Sequence, residues 1–509
     1  MAAEYPPLAD LRKMMAEQPL PVVAPGTVDQ ASMAGEEPTQ QARAALERFS
    51  AALVRDDAQA LVDCFFREQA YWKDSLALTY HLRTLTTPGV IAASLLETKK
   101  LRGIAGDLRA EGAAQYHAGL QFVSSDFTFR TVSPAASCSG KIFLLPTRDN
   151  NGVVKWKIWV LSTRLRSLDM HPEDESLLKG PSKPLDGVDD FNTDVFIIGG
   201  GNAAVALAAR LKALGVESVM SERNPQATGI ASLIKDENVY KGFSLHSSQY
   251  KNPTQLKEKG VESLLIIGSA NTAFDILQDS HEAGLKPTMV VRSDTYIVPV
   301  EYVTNPMSLG VYNFGVEAAD RLLFSLPVTI DAALGRKLFA ALAGTEPDRY
   351  KPLGAAGFPV LDSTDKDCTL MHNLVERAGG HDVDTGATRL IAEGMAGVKT
   401  NVEPLAFTES GLRFSDDSTL DADAIVWCTG FRDRDVRQVA ARILGAGQSS
   451  DRGEGMAPEE IAARMDATWG LDAEGEIRGM WKRHLHLDNF WIMGGYTQQH
   501  RWHSSTLAL

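Results

Sequence analysis

A chain of 509 residues with 44% hydrophobic and 23% charged side chains has an ordinary globular composition and length for two to four domains. Its net charge of -14 opposes nucleic acid and anionic membrane surfaces as partners. The cysteines Cys64, Cys138, Cys368 and Cys428 are too sparse for a disulfide scaffold and lack zinc-ligand spacing, so no metal and a reducing, cytoplasmic setting are expected.

The first residues lack the basic start and apolar run of a signal peptide. Apolar runs such as Leu264 to Ile267 are strand-length, so no membrane span is expected. Residues 1–38 are rich in Pro, Ala, Gly and Glu and predict a flexible or loosely docked arm.

Residues 40–175 read as one compact unit. Ala44, Leu46, Phe49, Ala52 and Leu53 form a helical stripe, continued by Leu61, Val62 and Phe65. Runs at 117–128, 140–146 and 153–162 read as strands, with a hairpin signal at Arg148 to Gly152 between the last two. Helices followed by a curved antiparallel sheet make an α+β cone. This arrangement resembles the SnoaL-like, nuclear-transport-factor-2-like superfamily, whose members serve as enzymes, binding pockets or dimerisation modules. The resemblance implies a homodimer face. Within Tyr71-Trp72-Lys73-Asp74, Asp74 could act as a general base, for a cyclase or isomerase housed in the cone. The preferred reading packs Trp72 in the cone and uses Asp74 as a helix cap, because fold analogy fixes no role.

A Pro- and Gly-containing linker at 176–192 leads into Asp194 to Ala204, which reads as a buried strand, a glycine turn and a helix start. Glu222 follows 23 positions after Gly199, just past Val219-Met220. Such a unit grips a dinucleotide, with pyrophosphate at the helix N-terminus and ribose hydroxyls on the carboxylate. A second strand and turn appear at Leu264 to Ala273, and Arg292-Ser293 closes the next strand, 24 residues after Gly268. An Arg there accommodates a 2'-phosphate, which points to NADPH over NADH. The alternative for each turn is that its glycines merely let helix and sheet pack closely.

Two dinucleotide folds, one ending in an acid and one in Arg-Ser, resemble the flavin-containing monooxygenase family, closest to its YUCCA-like and fungal members. Tyr240-Lys241-Gly242-Phe243-Ser244-Leu245-His246-Ser247-Ser248-Gln249-Tyr250 is similar to that family's F-x-G-x-x-x-H-x-x-x-Y fingerprint, with Tyr240 in the Phe slot. Ala424 to Phe431 resembles its second A-T-G strand, and Trp491 to Tyr496, with Gln498 to His500, its final strand and helix. The resemblance implies a multidomain chain: the cone, then an α/β flavoprotein with two Rossmann-like folds. A FAD domain would take 193–260 and 395–509, and an NADPH domain with substrate-entrance helices 261–394. FAD would rest on Gly199, Gly201, Ala204, Glu222, Thr429 and Gly430; NADPH on Gly268, Ala270, Ala273, Arg292 and Ser293. The implied reaction inserts one atom of O2 into a small, secondary-metabolite-like molecule through a C4a-hydroperoxyflavin. No dedicated catalytic side chain is required, and His246 and Tyr250 are read as braces between the two domains.

The sequence departs from that family in one place. Only 41 residues, 223 to 263, separate Glu222 from the second unit's strand. A complete FAD half needs further βαβ units of about 30 residues each. Ser221-Glu222-Arg223-Asn224-Pro225 runs straight into Gln226-Ala227-Thr228-Gly229-Ile230, which looks like the first A-T-G motif. Pro225-Gln226 therefore reads as the seam of an internal deletion, and the helix-like stretch 498–509 also looks short. A shortened FAD half opens a second reading, a non-catalytic or NADPH-only binding protein.

Overall fold

The computed structural model describes residues 5–149, 151–181, 190–222, 234–431, 435–445 and 455–509. They form two compact units: Met1–Asn224, Val316–Asp331 and Ala440–Leu509 build the first, and Pro225–Gly315 and Ala332–Val439 the second. The seam at Pro225-Gln226 and the Ala227-Thr228-Gly229 motif lie outside the described residues.

In the first unit, the N-terminal arm is docked. Its helix α1 (Leu11–Glu17) is capped by Asp10 and buries Leu11 and Met15, one helical turn apart. Ala9 N–H donates to the Leu471 carbonyl at 2.8 Å, and Arg478 Nη1 to the Pro6 carbonyl at 3.0 Å. Val28 and Met33, further along the arm, are buried in the cone's core, so a few scattered apolar residues hold a segment of otherwise loose composition.

The cone follows. Helix α2 (Glu37–Val54) buries Ala42, Ala45, Leu46, Phe49, Ala52 and Leu53, the spacing of one helical face. Asp57 accepts from Ala60 N–H at 2.9 Å and caps α3 (Ala58–Cys64). Strands β1 (Tyr71–Ser75) and β2 (Leu82–Thr86) precede α4 (Pro88–Arg102), which stops at Gly103 in the left-handed region. Strands β3 (Ile104–His117), β4 (Phe122–Val132), β5 (Ala135–Arg148) and β6 (Val154–Leu168) complete a six-stranded sheet of order β2-β1-β6-β5-β4-β3. Only β1–β6 is parallel. The expected hairpin is present: Asp149 accepts from Asn151 and Val153 N–H at 2.9 and 3.0 Å between β5 and β6.

Alternation along β1 sorts the sheet's two faces. Trp72 joins the core shared with α2, α3 and α4. Lys73 faces the other way, donating to the Leu326 carbonyl at 2.9 Å and lying 3.7 Å from Glu476. Thr84 also donates to Glu476, and the Arg164 guanidinium stacks 3.6 Å above Trp502. On this face, β1, β2 and β6 are thus covered by Leu326 and by the C-terminal residues Glu476 and Trp502.

Strands β7 (Val195–Ile198) and β8 (Ser218–Ser221) form a two-stranded parallel sheet around α5 (Asn202–Ala213), which packs on the C-terminal helix Thr497–Ala508. Residues 491–494, expected as a final strand, are irregular, with Trp481 N–H bonded to Ile492 C=O at 3.0 Å.

The second unit opens with β9 (Phe243–His246) and the one-turn helix α6 (Thr254–Lys257). Strand β10 (Ser263–Ile267), helix α7 (Asn271–Glu282) and strand β11 (Lys286–Val291) make the second strand-turn-helix-strand unit. Strands β12 (Thr295–Pro299), β13 (Val360–Leu361) and β14 (His381–Asp384) form a small parallel sheet. Beyond them come β15 (Gly397–Thr400), an antiparallel meander of β16 (Pro404–Phe407), β17 (Gly411–Phe414) and β18 (Thr419–Asp421), and β19 (Ala424–Trp427). The main sheet is parallel, in the order β15-β11-β10-β19-β9.

This order differs from the expected division at 260/261 and 394/395. β9, β15 and β19 were assigned with the FAD half, yet they flank β10 and β11 in one sheet. Motifs along the chain carry the turn chemistry but not the hydrogen-bonding partner, which the register Leu264↔Ala424 decides. No helix among the described residues is long and apolar enough to cross a membrane.

Candidate functional site

Each unit presents one glycine turn. In the first, Gly199 has φ +108° and its N–H donates to the Ser221 carbonyl at 2.8 Å. Gly201 is the N-cap of α5, so the helix's first N–H groups face the turn. Glu222, at the tip of β8, accepts from Gly200 N–H; a Cβ on Gly200 would lie 2.8 Å from that carboxylate. Ala204 is half-buried in the first helical turn. The acid therefore stands beside the turn, with its carboxylate held by the Gly200 N–H.

The rest of this half is open. Phe196, Ile198, Val205 and Met220 are 50%, 46%, 54% and 44% exposed. A parallel sheet is normally covered on both faces, and two strands alone are marginal. Among the described residues, the turn, the start of α5 and Glu222 therefore stand on a sheet of two strands whose apolar side chains are about half exposed.

In the second unit, Gly268 has φ +125°, and a Cβ there would come within 2.5 Å of the Cys428 carbonyl. Cys428 N–H donates to Ile267 C=O at 2.8 Å, which pulls the tip of β19 against the turn. Ala270 is the N-cap of α7. Ser269 and Thr295 share a 2.6 Å hydroxyl contact, and Asn271 Oδ1 accepts from Val383 N–H at 2.7 Å. Arg292 and Ser293 are exposed past the end of β11. Ala273, expected at the ligand, is fully buried (0% exposed) among Leu264, Ile266 and Phe274, so its small size serves helix–sheet packing. That is the third-glycine role of the dinucleotide turn.

Thr429 and Gly430, expected beside the first turn, belong to the second unit, where they follow β19. Ser248 N–H donates to His246 Nδ1 at 3.2 Å, so the imidazole proton sits on Nε2, 3.2 Å from the Gly430 carbonyl. Tyr250 donates to Asp279 on α7 at 2.9 Å. Both residues brace, as expected, but within one unit.

In the cone, Asp74 is buried and accepts from Leu78 N–H (3.0 Å), Thr79 N–H (2.7 Å), Thr79 Oγ1 (2.7 Å) and Thr163 Oγ1. Trp72 Nε1 donates to Thr163 Oγ1 at 2.8 Å. The carboxylate is committed to holding the loop between β1 and β2. It caps that loop, where the sequence reading had placed a helix.

Sequence reasoning missed Glu403, 3.5 Å from Arg292, and the carboxyl group of Asp382. Asp382 is buried with Oδ2 unpartnered, and burial followed by the charges of Asp384 and Asp275 pushes its carboxyl up to about 8. Neither residue stands in a motif: Glu403 meets Arg292 from far along the chain, and Asp382 is set apart by its burial and by the nearby charges of Asp384 and Asp275. Among the described residues, no group of three or more His, Cys, Asp or Glu could hold a metal ion.

No family model matches the chain. It is 28% identical over 200 residues to indole-3-pyruvate monooxygenase YUCCA8 of Oryza sativa subsp. indica, covering 39% of this chain and 41% of that protein. It is 30% identical over 193 residues to indole-3-pyruvate monooxygenase YUCCA1 of Oryza sativa subsp. japonica, covering 38% of this chain and 41% of the relative. The chain therefore matches about two-fifths of the length of these curated relatives. Among solved structures, a mutant flavin monooxygenase from Stenotrophomonas maltophilia is 13% identical, with 62% of this chain and 98% of that one covered and a TM-score of 0.32.

Proposed function

We propose that the chain is a FAD- and NADPH-dependent monooxygenase acting with O2 on a small organic molecule of secondary metabolism, in the cytoplasm. The observation that carries the reading is the second turn: Gly268 pressed on the Cys428 carbonyl, the N-terminus of α7, and Arg292 with Ser293 at the tip of β11. Those residues fit NADPH, with the pyrophosphate on the helix N-terminus and the 2'-phosphate on Arg292. Gly199, Gly201 and Glu222 fit the ADP half of FAD. When bound, the two cofactors supply the reducing equivalents and the activation of O2. The chain's own residues bind and orient: the turn glycines admit a diphosphate to the backbone, Glu222 takes ribose hydroxyls, and His246 and Tyr250 keep the β19 tip and α7 in place. The monooxygenase names of the curated relatives support the same reading.

The test is the visible spectrum of the purified protein, before and after reconstitution with FAD. Flavin bands that stay with the protein through gel filtration are expected; their complete absence after reconstitution would sink the proposal.

A second reading, an NADPH-binding protein without oxygenase activity, is favoured by the half-exposed β7–β8 sheet. Substrate-dependent NADPH oxidation coupled to an oxygenated product would exclude it. Chemistry in the cone itself finds less support, since each hydrogen bond of Asp74 described above is spent on its own loop and on Thr163.

A further inference from the structure

Arg292 meets a carboxylate where a dinucleotide's adenosine end would arrive. Val291 on β11 is opposite Thr400 on β15. The chain then turns at Asn401, which has φ +59°, and brings Glu403 back over the β11 tip. Arg292 Nη1 and Glu403 Oε1 are 3.5 Å apart, with side chains 71% and 57% exposed. Glu403 is not delivered by a loose loop: its N–H donates to Ser415 Oγ at 3.0 Å and its carbonyl accepts from Ser415 N–H at 2.9 Å. The backbone under the carboxylate is thus clamped to the β17 end of the meander. A 2'-phosphate reaching Arg292 must compete with that carboxylate and then remain beside it.

We propose that Glu403 sets the dinucleotide selectivity of the second turn by competing with a 2'-phosphate for Arg292. The proposal rests on the reading of that turn as an NADPH site. Glu403 lowers the advantage of a phosphorylated ribose without touching the shared pyrophosphate cradle. An exposed pair is worth little, so the effect is modest, and it is screened by salt.

The experiment is titration of the full chain and its E403Q and E403K variants with NADP+ and NAD+, by calorimetry at low and high ionic strength. Glu403 is exposed, so equal melting temperatures are the control for folding. E403Q is expected to tighten NADP+ about two- to five-fold, the size of one exposed ion pair. E403K is expected to tighten it further, NAD+ to stay unchanged, and the gain to shrink in high salt. An unchanged NADP+ to NAD+ ratio in both variants, with wild type binding both, would overturn the proposal and leave the NADPH site standing. Weakened NAD+ binding in E403Q would overturn it too, by making Glu403 a ribose ligand. If no chain binds either dinucleotide, the NADPH reading itself fails and the proposal falls with it.

Discussion

Gly268 and Gly199 share a positive φ but not a surrounding. At Gly268 an added Cβ meets the Cys428 carbonyl at 2.5 Å; at Gly199 nothing lies within 4 Å. Backbone strain of this kind costs on the order of 1–3 kcal/mol, and only at Gly268 is a backbone overlap added. Gly268→Val should therefore lower the denaturant midpoint of the second unit well beyond the effect of Gly199→Val on the first. Equal shifts would contradict the geometry. Asp382 gives a pH signature. Its carboxyl lies at about 8 in the fold against the ordinary 3.8, so the fold holds the protonated form. The stability it contributes is complete below pH 3.8 and is lost as pH rises through about 8. The steepest loss is about 1.4 kcal/mol per pH unit for one proton. Asp382→Asn should flatten the profile and melt above wild type on the alkaline side; parallel profiles would refute this. The turn glycines, Glu222 and Arg292 were legible in the sequence, because a short stretch of chain carries their chemistry. Glu403 and Asp382 were not, because the contact of Glu403 with Arg292 and the burial of Asp382 arise only in the folded chain.

The two-stranded β7–β8 sheet and the five-stranded main sheet differ in how deeply their side chains are buried. Ile266 and Val426, on β10 and β19, are 0% exposed, while Phe196 and Ile198 on β7 are about half exposed. Ile266→Ala should cost about 2–5 kcal/mol as a core cavity. Phe196→Ser should stay within about 0.5 kcal/mol, as an open surface position. Native-state hydrogen exchange should show β7 and β8 amides exchanging faster than those of β10 and β19. Equal protection would mean that the first sheet is covered after all. At this scale the sequence was read unevenly. The period-3.6 stripe located α2, and the turn signal at Arg148 to Gly152 located the β5–β6 hairpin. The strands of β1 and β2 and the long strand β3 were missed, since β3 carries mixed polar residues and two register shifts. The arm's docking was only half legible, because its apolar anchors Leu11, Met15, Val28 and Met33 are scattered and the rest of its hold is backbone hydrogen bonding. Leu11→Ala should cost about 2–5 kcal/mol, measured by thermal unfolding; no change would return the arm to a loose state.

At the scale of the whole molecule, the cone's sheet packs one face against Leu326 and the C-terminal residues Glu476 and Trp502, and the second unit is built on a five-stranded parallel sheet. The first unit carries its glycine turn and Glu222 on a sheet of two described strands. The order of domains was legible because each motif is local. The assignment of β9, β15 and β19 was not, because parallel strands are joined through crossovers and choose neighbours by register. The proposed monooxygenase therefore depends on whether the first turn holds FAD firmly enough to accept electrons from NADPH. The direct measurement is an anaerobic NADPH titration of the FAD-reconstituted, gel-filtered chain, followed in the visible. Bleaching of protein-bound flavin bands by NADPH, with recovery on admitting O2, is the predicted result. A protein that binds NADPH yet emerges from gel filtration without flavin would contradict the account and leave the NADPH-binding reading in its place.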